Sequence, residues 1–438
     1  MLETMGLSEK IRNFEFQPEV YTYPTTRCYK KLVGFSIAQP EFTDEINVYV
    51  HIPFCRQICT FCGYLKTLNS DKMRRDYVSA LIKEIEMYKE VLGTKKIITV
   101  DIGGGTPSLL QPDELGEIID ALKAANGNVL STAKDVSIEA TPESVEYEKF
   151  KEFKDLGINR VSIGVESFVD KEISLSGRHN SGSVSANAIK MLKEIGFGNV
   201  VCDLMAGVEG QTMKTFSDSV NTMLDLGPDT VEVYALGIIP GTMVGKKSAA
   251  KLMSNKQKYE CYEIARRKFI DAGYHQSCHN RYSRFEDGGY LQEDTVFRGA
   301  SLVGLGAGAR SYAQNMHYRN PFEGANGKTA IYRYMDKINS DSLAVESGVF
   351  LSSEERMRKY VIGNIESLDL HGFSSLYGIG FETAFGELYN ELISTGCAEE
   401  KSGRLKLTQK GLLFRDLIAR QFFSEGVEAA ESAYRTTV

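Results

Sequence analysis

The chain has 438 residues, of which 42% are hydrophobic and 25% are charged, an ordinary composition for a globular protein with room for a large barrel and an additional domain. Its net charge of −7 argues against a nucleic-acid partner, which would require a basic surface. No run approaches the ~20 apolar residues of a membrane-spanning helix, and the N-terminus has no apolar signal core, so we expect a cytoplasmic chain with no membrane partner.

Residues 1–45 are predicted to form an N-terminal strap with little regular structure. Within it, residues 21–32 (YTYPTTRCYKKL) carry aromatic side chains and the cations Arg27, Lys30 and Lys31, with no acid among them. This segment could pack its tyrosines on a neighbouring domain or close as a flap over a binding site. Aromatic-rich connecting segments usually pack, so we favour the packed strap.

The next part of the chain alternates short β-branched runs with segments of helical periodicity. Such alternation predicts an α/β fold with a parallel sheet, in which all strands end on the same face. Six strand–helix pairs predict a partial (β/α)6 TIM-like barrel; a flat doubly wound sheet is the alternative that periodicity does not exclude. The strands are predicted at 47–51, 96–102, 135–139, 160–164, 199–206 and 230–236, and the helices at 71–91, 112–124, 142–156, 183–195, 212–226 and 256–272.

After residue 273 the alternation ends. Residues 275–312 mix polar residues with glycines and finish in GLGAGARSY (304–312), which is either a glycine-rich loop packed on the barrel or part of the site. Helical patterns dominate from residue 352, and residues 403–423 predict a short hairpin followed by a helix, as in a winged helix. We therefore predict three parts: the strap (1–45), a barrel with its extension (46–320) and a mostly helical, winged-helix-like C-terminal cap (321–438).

Three cysteines follow the first predicted strand. Cys55, Cys59 and Cys62 have the spacing C-x3-C-x2-C, and three close thiolates can hold three irons of a cubane cluster while leaving the fourth iron open to a small molecule. Structural zinc is one alternative, but zinc prefers four ligands and only His51 lies nearby in the sequence. Three buried structural thiols are the other alternative.

Glycines and polar residues stand where the other predicted strands end. The strand ends of such barrels carry the active site, so these residues are candidates for ligand binding. A glycine run lets a ligand approach the backbone closely, although it can also be a plain turn, and each polar residue could instead be a surface charge or a packed core residue. The candidates are Gly103, Gly104, Gly105 and Thr106 after the second strand, Glu139 on the third, Glu166 on the fourth with Arg178 beyond it, Asp203 on the fifth, and Tyr234 and Ala235 on the sixth.

The cysteine motif and the preceding YVHIPF resemble the radical S-adenosylmethionine (SAM) enzymes, and within them the oxygen-independent coproporphyrinogen III oxidase family with its heme-chaperone and methylase relatives. This resemblance implies a [4Fe–4S] cluster held by Cys55, Cys59 and Cys62. It also implies that reduction of the cluster cleaves SAM to a 5′-deoxyadenosyl radical. It further implies a small-molecule substrate and an electron donor such as flavodoxin or ferredoxin.

The same resemblance implies a set of SAM contacts. The glycine run receives the amino end of SAM, Arg178 meets its carboxylate, and Asp203 holds its ribose or a second SAM molecule. Tyr49 stacks near the adenine. The full set is Tyr49, Gly103, Gly104, Gly105, Thr106, Glu139, Glu166, Arg178, Asp203 and Ala235.

Two departures from the oxidases bear on the reaction. Tyr64 stands where those oxidases carry a fourth cysteine, and Glu166 stands where they commonly carry glutamine. Residues 304–318 and YPTTRCY are more similar to class C methylases and cyclopropanases, which bind two SAM molecules. We therefore predict methylation or cyclopropanation of an sp2 carbon with two SAM molecules. The alternatives are a porphyrin or heme reaction, a heme chaperone, and a non-radical zinc protein.

The remaining cysteines and histidines carry weaker signals. A lone cysteine in a reducing compartment is usually a small buried hydrophobe, and a lone histidine is usually structural. His279 and His317 could nevertheless be acid–base groups or heme ligands, and Cys278 beside His279 is the pair to follow. The scattered residues are Cys28, Cys202, Cys261, Cys278, Cys397, His275, His279 and His317.

Overall fold

The computed structural model describes residues 6–17, 19–20, 22–246, 252–323 and 327–437. The strands are β1 (Lys30–Lys31), β2 (Glu45–Ile52), β3 (Phe54–Cys55), β4 (Thr67–Leu68), β5 (Lys96–Gly104), β6 (Asp135–Ala140), β7 (Arg160–Glu166), β8 (Asn199–Ala206), β9 (Thr230–Ala235), β10 (His275–Gln276), β11 (Arg281–Ser283), β12 (Ser301–Leu305), β13 (Arg310–Tyr312), β14 (Met316–Arg319), β15 (Ser347–Phe350), β16 (Ser367–Asp369), β17 (Ala398–Lys401) and β18 (Arg404–Leu407).

The helices follow the same chain order. They are α1 (Leu7–Arg12), α2 (Asp71–Met87), α3 (Lys89–Gly93), α4 (Pro112–Ala125), α5 (Val129–Thr132), α6 (Tyr147–Asp155), α7 (Asp170–Leu175), α8 (Gly182–Ile195), α9 (Met213–Leu226), α10 (Asn255–Asp271), α11 (Leu291–Phe297), α12 (Gly327–Asn339), α13 (Ser353–Asn364), α14 (Leu370–Tyr377), α15 (Phe381–Ser394), α16 (Gln409–Leu413), α17 (Arg415–Gln421) and α18 (Glu425–Thr437). No helix in these ranges is both long enough and apolar enough to cross a membrane.

Six parallel strands, β2 and β5 to β9, pair in sequence order and form the barrel wall. Each strand is followed by at least one helix, so the predicted α/β class and the partial (β/α)6 barrel are confirmed. The wall is one part of a 13-stranded sheet with the order β1-β15-β14-β13-β12-β2-β5-β6-β7-β8-β9-β11-β10. Since β12 runs parallel to β2, the antiparallel strands β13 to β15 continue the wall on the far side of β2.

The strands form because their β-branched and aliphatic side chains are buried between the barrel interior and the outer helices. Val48, Val50, Val100 and Ile102 have no more than 1% of their surface exposed. The helices between strands have clear ends. For example, α8 begins at the N-cap Ser181, whose side chain accepts the Val184 N–H, and ends at Gly196 in the left-handed conformation.

An aromatic ring between two arginines closes the end of the barrel at which the strands begin. The guanidinium carbons of Arg160 and Arg281 lie 4.1 and 4.8 Å from the centre of the Tyr290 ring. Both arginines are buried, and each is neutralised by carboxylates: Arg160 bonds Asp135 at 2.9 Å and Arg281 bonds Glu232 at 2.7 Å. This end of the barrel is therefore filled, which leaves the opposite end for a ligand.

The C-terminal part combines the three-stranded sheet β16-β18-β17 with helices α13 to α18. Its separate hydrophobic core also contains Leu7 and Ile11 of α1 and Tyr23 of the strap. The large sheet continues to Phe350, past the predicted boundary at residue 320, because β15 returns to pair with β14.

The strap is packed over part of its length. Tyr23 is only 2% exposed, and its hydroxyl donates a hydrogen bond to Glu355 of α13. Further along, β1 pairs with β15, while the side chains of Lys30 and Lys31 remain exposed. Tyr21, at the start of the predicted strap segment, lies outside the described residues.

Candidate active site

The three motif cysteines lie in the loop that follows β2. Cys55 ends β3 and is buried, whereas Cys59 and Cys62 are half-buried and are joined by a turn in which the Cys62 N–H donates to the Cys59 carbonyl at 3.3 Å. The pKa of Cys55 is raised to about 12, mainly by burial. A hydrogen bond with Thr106 lowers this pKa, whereas the neighbouring Cys62 and Cys59 raise it. The three thiols therefore interact with one another, and a bound metal would be required to hold them all as thiolates.

A lysine missed by the sequence analysis supports the cysteine loop. Lys66 Nζ donates to the carbonyl oxygens of Cys62 at 2.7 Å and Tyr64 at 3.1 Å. Its charge lowers the pKa of both Cys55 and Cys62, opposing the effect of burial. A cation beside cysteines favours the thiolate form that a metal needs.

The glycine run at the end of β5 lies directly against the cysteine loop. A Cβ atom on Gly105 would lie 2.8 Å from the Phe54 carbonyl oxygen and 3.0 Å from Cys55 Sγ. Gly104 has a φ of +122°, and its Cβ would lie 2.7 Å from the His51 ring. The Thr106 N–H also donates to the Phe54 carbonyl at 2.8 Å, which fixes the two loops together. Side chains at these two glycines would displace the loop, so the run is more than a plain turn.

Glu139 at the end of β6 faces the glycine run. Its Oε2 accepts the N–H of Gly104 at 2.9 Å. Glu139 is exposed to solvent, but the protein around its carboxylate still raises its pKa by desolvation. Both facts hold because the carboxylate points into the open interior of the barrel.

Glu166 and Arg178 form a buried ion pair at the end of β7. Arg178 Nη2 donates to Glu166 Oε1 at 2.8 Å, and Nη1 donates to the Gly164 carbonyl. The guanidinium also hydrogen-bonds to Cys59, which connects the cysteine loop to β7. Glu166 has a φ of +66° at an irregularity in the β7–β8 pairing, a strained conformation for a residue with a side chain. Its Oε2 is buried and has no hydrogen-bond partner in the described part of the chain.

Asp203 on β8 is a second carboxylate with an unused oxygen. It lies opposite Gly164 of β7 and Glu232 of β9, and its buried Oδ1 has no hydrogen-bond partner among the described residues. Burial raises its pKa well above the usual range, and the negative charges of Glu232 and then Glu166 and Glu139 raise it further. This side of the interior therefore has excess acid, which suits a ligand with cationic or hydroxyl groups.

Tyr49 and His51 on β2 complete the wall beside the cysteines. His51 Nε2 lies 3.0 Å from the Leu65 carbonyl oxygen, so it carries the proton, and Nδ1 accepts the Tyr49 hydroxyl at 3.0 Å. Burial lowers the pKa of His51 to about 4. Because both ring nitrogens are engaged, His51 does not offer the fourth ligand that the zinc alternative requires.

The last predicted contact lies further round the barrel. Ala235 ends β9, and its N–H donates to the Tyr262 hydroxyl at 3.0 Å. The structure thus places the predicted residues on consecutive strands of the barrel wall or in the segments that follow them: Tyr49 and Asp203 lie within β2 and β8, and Arg178 follows α7. The contacts between them are concentrated around β2, β5, β6, β7 and β8. Whether each of them contacts SAM remains a prediction.

The Cys278–His279 pair forms a separate cluster with residues of the C-terminal part. Cys278, His279 and Glu366 bring their side-chain ligand atoms within 4.8 Å of one another. His279 Nδ1 lies 3.0 Å from Glu366, and its Nε2 lies 3.6 Å from Asp416. These acids belong to the C-terminal part, so the cluster joins that part to the segment after the barrel. Of the five scattered cysteines, Cys202, Cys261 and Cys397 are buried as predicted, whereas Cys28 and Cys278 are half-buried.

Comparison with known proteins agrees with this geometry. Residues 49–223 match the model of the radical SAM superfamily. The heme chaperone HemW of Bacillus subtilis is 28% identical over 390 residues, covering 86% of this chain and 99% of that protein. The oxygen-independent coproporphyrinogen III oxidase of Paracoccus denitrificans is 26% identical, covering 100% of both chains.

Among solved structures, coproporphyrinogen III oxidase (HemN) from Escherichia coli superposes with a TM-score of 0.79 and 23% identity, covering 92% of this chain and 96% of that one. At this identity the match establishes the fold alone, and the fold includes the C-terminal part. The matched segment 49–223 contains the cysteine loop and the strand ends from β5 to β8. Residues 49–223 therefore form a radical SAM domain, and the chain is similar over most of its length to oxygen-independent coproporphyrinogen III oxidases and to HemW.

Proposed function

We propose that this radical SAM enzyme acts on a tetrapyrrole, a porphyrin-type or heme-type molecule. The observation that carries the SAM chemistry is the convergence of one buried and two half-buried thiols, a tight glycine run and the Arg178–Glu166 pair, at the end of the barrel opposite the Tyr290 ring. The substrate class is supported by relatives that cover 86% and 100% of the chain and are named for heme and for coproporphyrinogen.

The residues present fit a [4Fe–4S] cluster and SAM. Cys55, Cys59 and Cys62 would hold the cluster, since their thiols interact with one another and Lys66 offsets part of their charge. When bound, the cluster and SAM together supply a 5′-deoxyadenosyl radical that abstracts hydrogen from the substrate. The electron would come from an external donor such as a flavodoxin or a ferredoxin.

The other residues of the site would bind and orient SAM. Arg178 offers a guanidinium fork suited to a carboxylate, and Glu166 holds this fork in place. Glu139 and Asp203 offer carboxylate oxygens to ammonium or hydroxyl groups, and the unpartnered Oδ1 of Asp203 is free to accept one. The remaining proposed contacts are Tyr49, Gly103, Gly104, Gly105, Thr106 and Ala235.

Two residues differ from those of the oxidases, and they favour a reaction on the tetrapyrrole other than simple oxidative decarboxylation. Tyr64, which is 51% exposed, replaces the fourth cysteine of the oxidases, and Glu166 replaces their common glutamine. Methyl or methylene transfer from a second SAM is therefore a second candidate. It is favoured by two buried carboxylate oxygens without partners in the described chain, on Glu166 and Asp203, which could hold further hydroxyl groups.

The test is an anaerobic assay of the reconstituted enzyme with SAM and reductant, in the presence and absence of a porphyrinogen or heme. We expect either tetrapyrrole to increase the yield of 5′-deoxyadenosine and to be chemically changed. Release of carbon dioxide would identify decarboxylation, and S-adenosylhomocysteine formed alongside deoxyadenosine would identify methyl or methylene transfer. Deoxyadenosine formation that no tetrapyrrole affects would contradict the proposed substrate class.

A further inference from the structure

A set of cationic side chains lies on one face of the ribbon formed by β13 and β14. Arg310 of β13 is directly opposite Arg319 of β14, and Tyr312 is directly opposite His317. Residues opposite each other in an antiparallel pair project to the same face, as do residues two apart in a strand. The rings of Tyr312 and His317 have centres 4.7 Å apart, which confirms that this face is shared.

Neither arginine is paired with a carboxylate in the described ranges. Arg310 is half-buried and its guanidinium has no hydrogen bond or ion pair there. The Arg319 guanidinium lies 4.2 Å from the Phe322 ring centre and 5.9 Å from that of Tyr29, and its buried Nε has no acceptor. The acid that acts on Arg319 is Glu346, which is already bonded to Arg333 at 3.4 Å.

A lysine extends the set of cations, and a buried histidine lies beside it. His317 is fully buried, and neither of its ring nitrogens has a hydrogen-bond partner in the described chain. Lys359 of α13 is close enough that its charge, with that of Arg310, adds to the effect of burial in lowering the pKa of His317. Burial alone lowers the pKa of Lys359 to about 8, with no acid acting on it. We call Arg310, Arg319 and Lys359 the cationic cluster; His317 lies on the same face of the ribbon as a neutral side chain, because its pKa is lowered well below the usual value.

The cationic cluster adjoins the candidate active site. A Cβ atom on Gly304 of β12 would lie 2.2 Å from the Arg310 carbonyl oxygen, and Gly304 pairs with Tyr49 of β2. The charge of Arg310 also acts on the pKa of Tyr49 and of His51. Glu139, Glu166 and Asp203 lie on β6, β7 and β8, on the opposite side of β2 from β13 and β14. The site therefore has an acidic side beyond β5 and a basic side beyond β12.

We propose that the cationic cluster binds carboxylate groups of the substrate, and that the substrate carries at least two of them. Half-buried cations without partners are unfavourable until an anion neutralises them, and guanidinium groups match the geometry of a carboxylate. The propionate side chains of a tetrapyrrole have this chemistry, so the inference rests on the proposed function. It adds to that function the residues that hold the substrate, on the opposite side of β2 from Glu139, Glu166 and Asp203, which are proposed to hold SAM.

The experiment measures binding by the full-length, cluster-loaded protein rather than turnover. Coproporphyrin III, which has four carboxylates, and its tetramethyl ester are titrated while their fluorescence is followed, and SAM is titrated separately. The variants are Arg310→Gln and Lys359→Met, which remove a charge while retaining most of the side chain. Arg267→Gln and Lys151→Met, at exposed positions on α10 and α6, are the matched controls.

We expect each cluster variant to bind the tetracarboxylate about tenfold to hundredfold more weakly, which corresponds to the loss of one charged hydrogen bond. Binding of SAM should be unchanged, both controls should behave as wild type, and the ester should bind weakly and equally to all proteins. Thermal unfolding is measured in parallel; because neither side chain has a partner in the described chain, both variants should fold.

Three results would overturn the inference. If the variants bind the tetracarboxylate as tightly as wild type, the cationic cluster does not hold it, whereas the proposed function survives. If the variants lose affinity for SAM instead, the cationic cluster binds the carboxylate of SAM and not those of the substrate. If wild type binds neither the porphyrin nor its ester, the proposed function fails, and this inference fails with it.

Discussion

Arg178 and Glu166 form an ion pair in which both side chains are almost completely buried, with 6% and 11% of their surfaces exposed. The guanidinium extends from the segment after β7 back to the strand end, where it bonds Glu166 and the Gly164 carbonyl and contacts Cys59. One side chain therefore connects the ligand-binding edge of the barrel with the cysteine loop. A pair of this kind specifies geometry more than it adds stability.

Arg178→Met should leave Glu166 buried without its partner. Loss of one member of a buried pair lowers the free energy of unfolding by about 3–5 kcal/mol, and the variant should also bind SAM more weakly. Urea denaturation and SAM titration measure the two effects. The control is Lys214→Met, which breaks an exposed pair with Asp218 at 2.7 Å and should lower stability by no more than about 1 kcal/mol. Equal losses in the two variants would contradict this account.

Asp203→Asn should stabilise the protein while weakening SAM binding. Burial and the nearby acids raise the pKa of Asp203, so the folded chain binds this proton more tightly than the unfolded chain does. The ionised side chain therefore destabilises the fold above the ordinary aspartate pKa of about 4. We expect a gain of about 1–3 kcal/mol near pH 8 and a much smaller gain near pH 4.

Denaturation at these two pH values checks the prediction, with Asp120→Asn, whose side chain is 74% exposed, as the control. A loss of stability near pH 8 would show that Asp203 is needed for the fold rather than for a ligand.

Gly105→Ala should impair cluster assembly. The added methyl group would lie 2.8 Å from the Phe54 carbonyl oxygen and 3.0 Å from Cys55 Sγ, so the cysteine loop must move. We expect a loss of about 1–3 kcal/mol in stability and a lower content of iron and sulfide per chain after reconstitution. Gly127→Ala is the control because a Cβ there has no neighbour within 4 Å. Full iron loading of Gly105→Ala would contradict the proposed contact between the glycine run and the cluster loop.

The elements that the sequence predicted well are those whose signal is local. The β-branched runs and helical spacings identified all six barrel strands and the main helix after each of them, but not the short helices α5 and α7, and the C-x3-C-x2-C spacing identified the cysteine loop. The parallel arrangement then required the strand ends to meet, which brought Glu139, Glu166 and Asp203 to one side of the interior.

The features that were missed depend on contacts between distant segments. Tyr290 between Arg160 and Arg281, and the alignment of Arg310 with Arg319, arise from packing and strand register that no local period encodes. Lys66, by contrast, lies four residues after Cys62, so its position in the cysteine loop was an available signal. The pairing of β15 with β14 was not predicted, because β15 is a short strand that follows a helix.

The contact of the C-terminal part with the rest of the chain should weaken as the pH rises. Burial lowers the pKa of His279, but the charge of Asp416 and hydrogen bonds with Cys278 and Glu366 outweigh it and hold the pKa well above the usual value. A raised histidine pKa contributes stability that is complete below the unfolded value of about 6.5 and is lost as the pH passes the folded value.

Comparison of wild type with His279→Gln isolates this contribution. We expect wild type to be the more stable protein near pH 6 and the difference to shrink near pH 9, as measured by urea denaturation. A difference that is constant or increases with pH would mean that His279 is neutral in the folded protein.

The central claim is that three thiols at the barrel mouth hold a cluster that cleaves SAM. The most direct measurement is anaerobic reconstitution with iron and sulfide, followed by dithionite and SAM, on wild type and on the triple variant Cys55→Ala, Cys59→Ala, Cys62→Ala. We predict that wild type acquires cluster absorbance and releases 5′-deoxyadenosine, and that the triple variant does neither. If wild type instead takes up zinc or heme and leaves SAM intact, the account of this site is wrong.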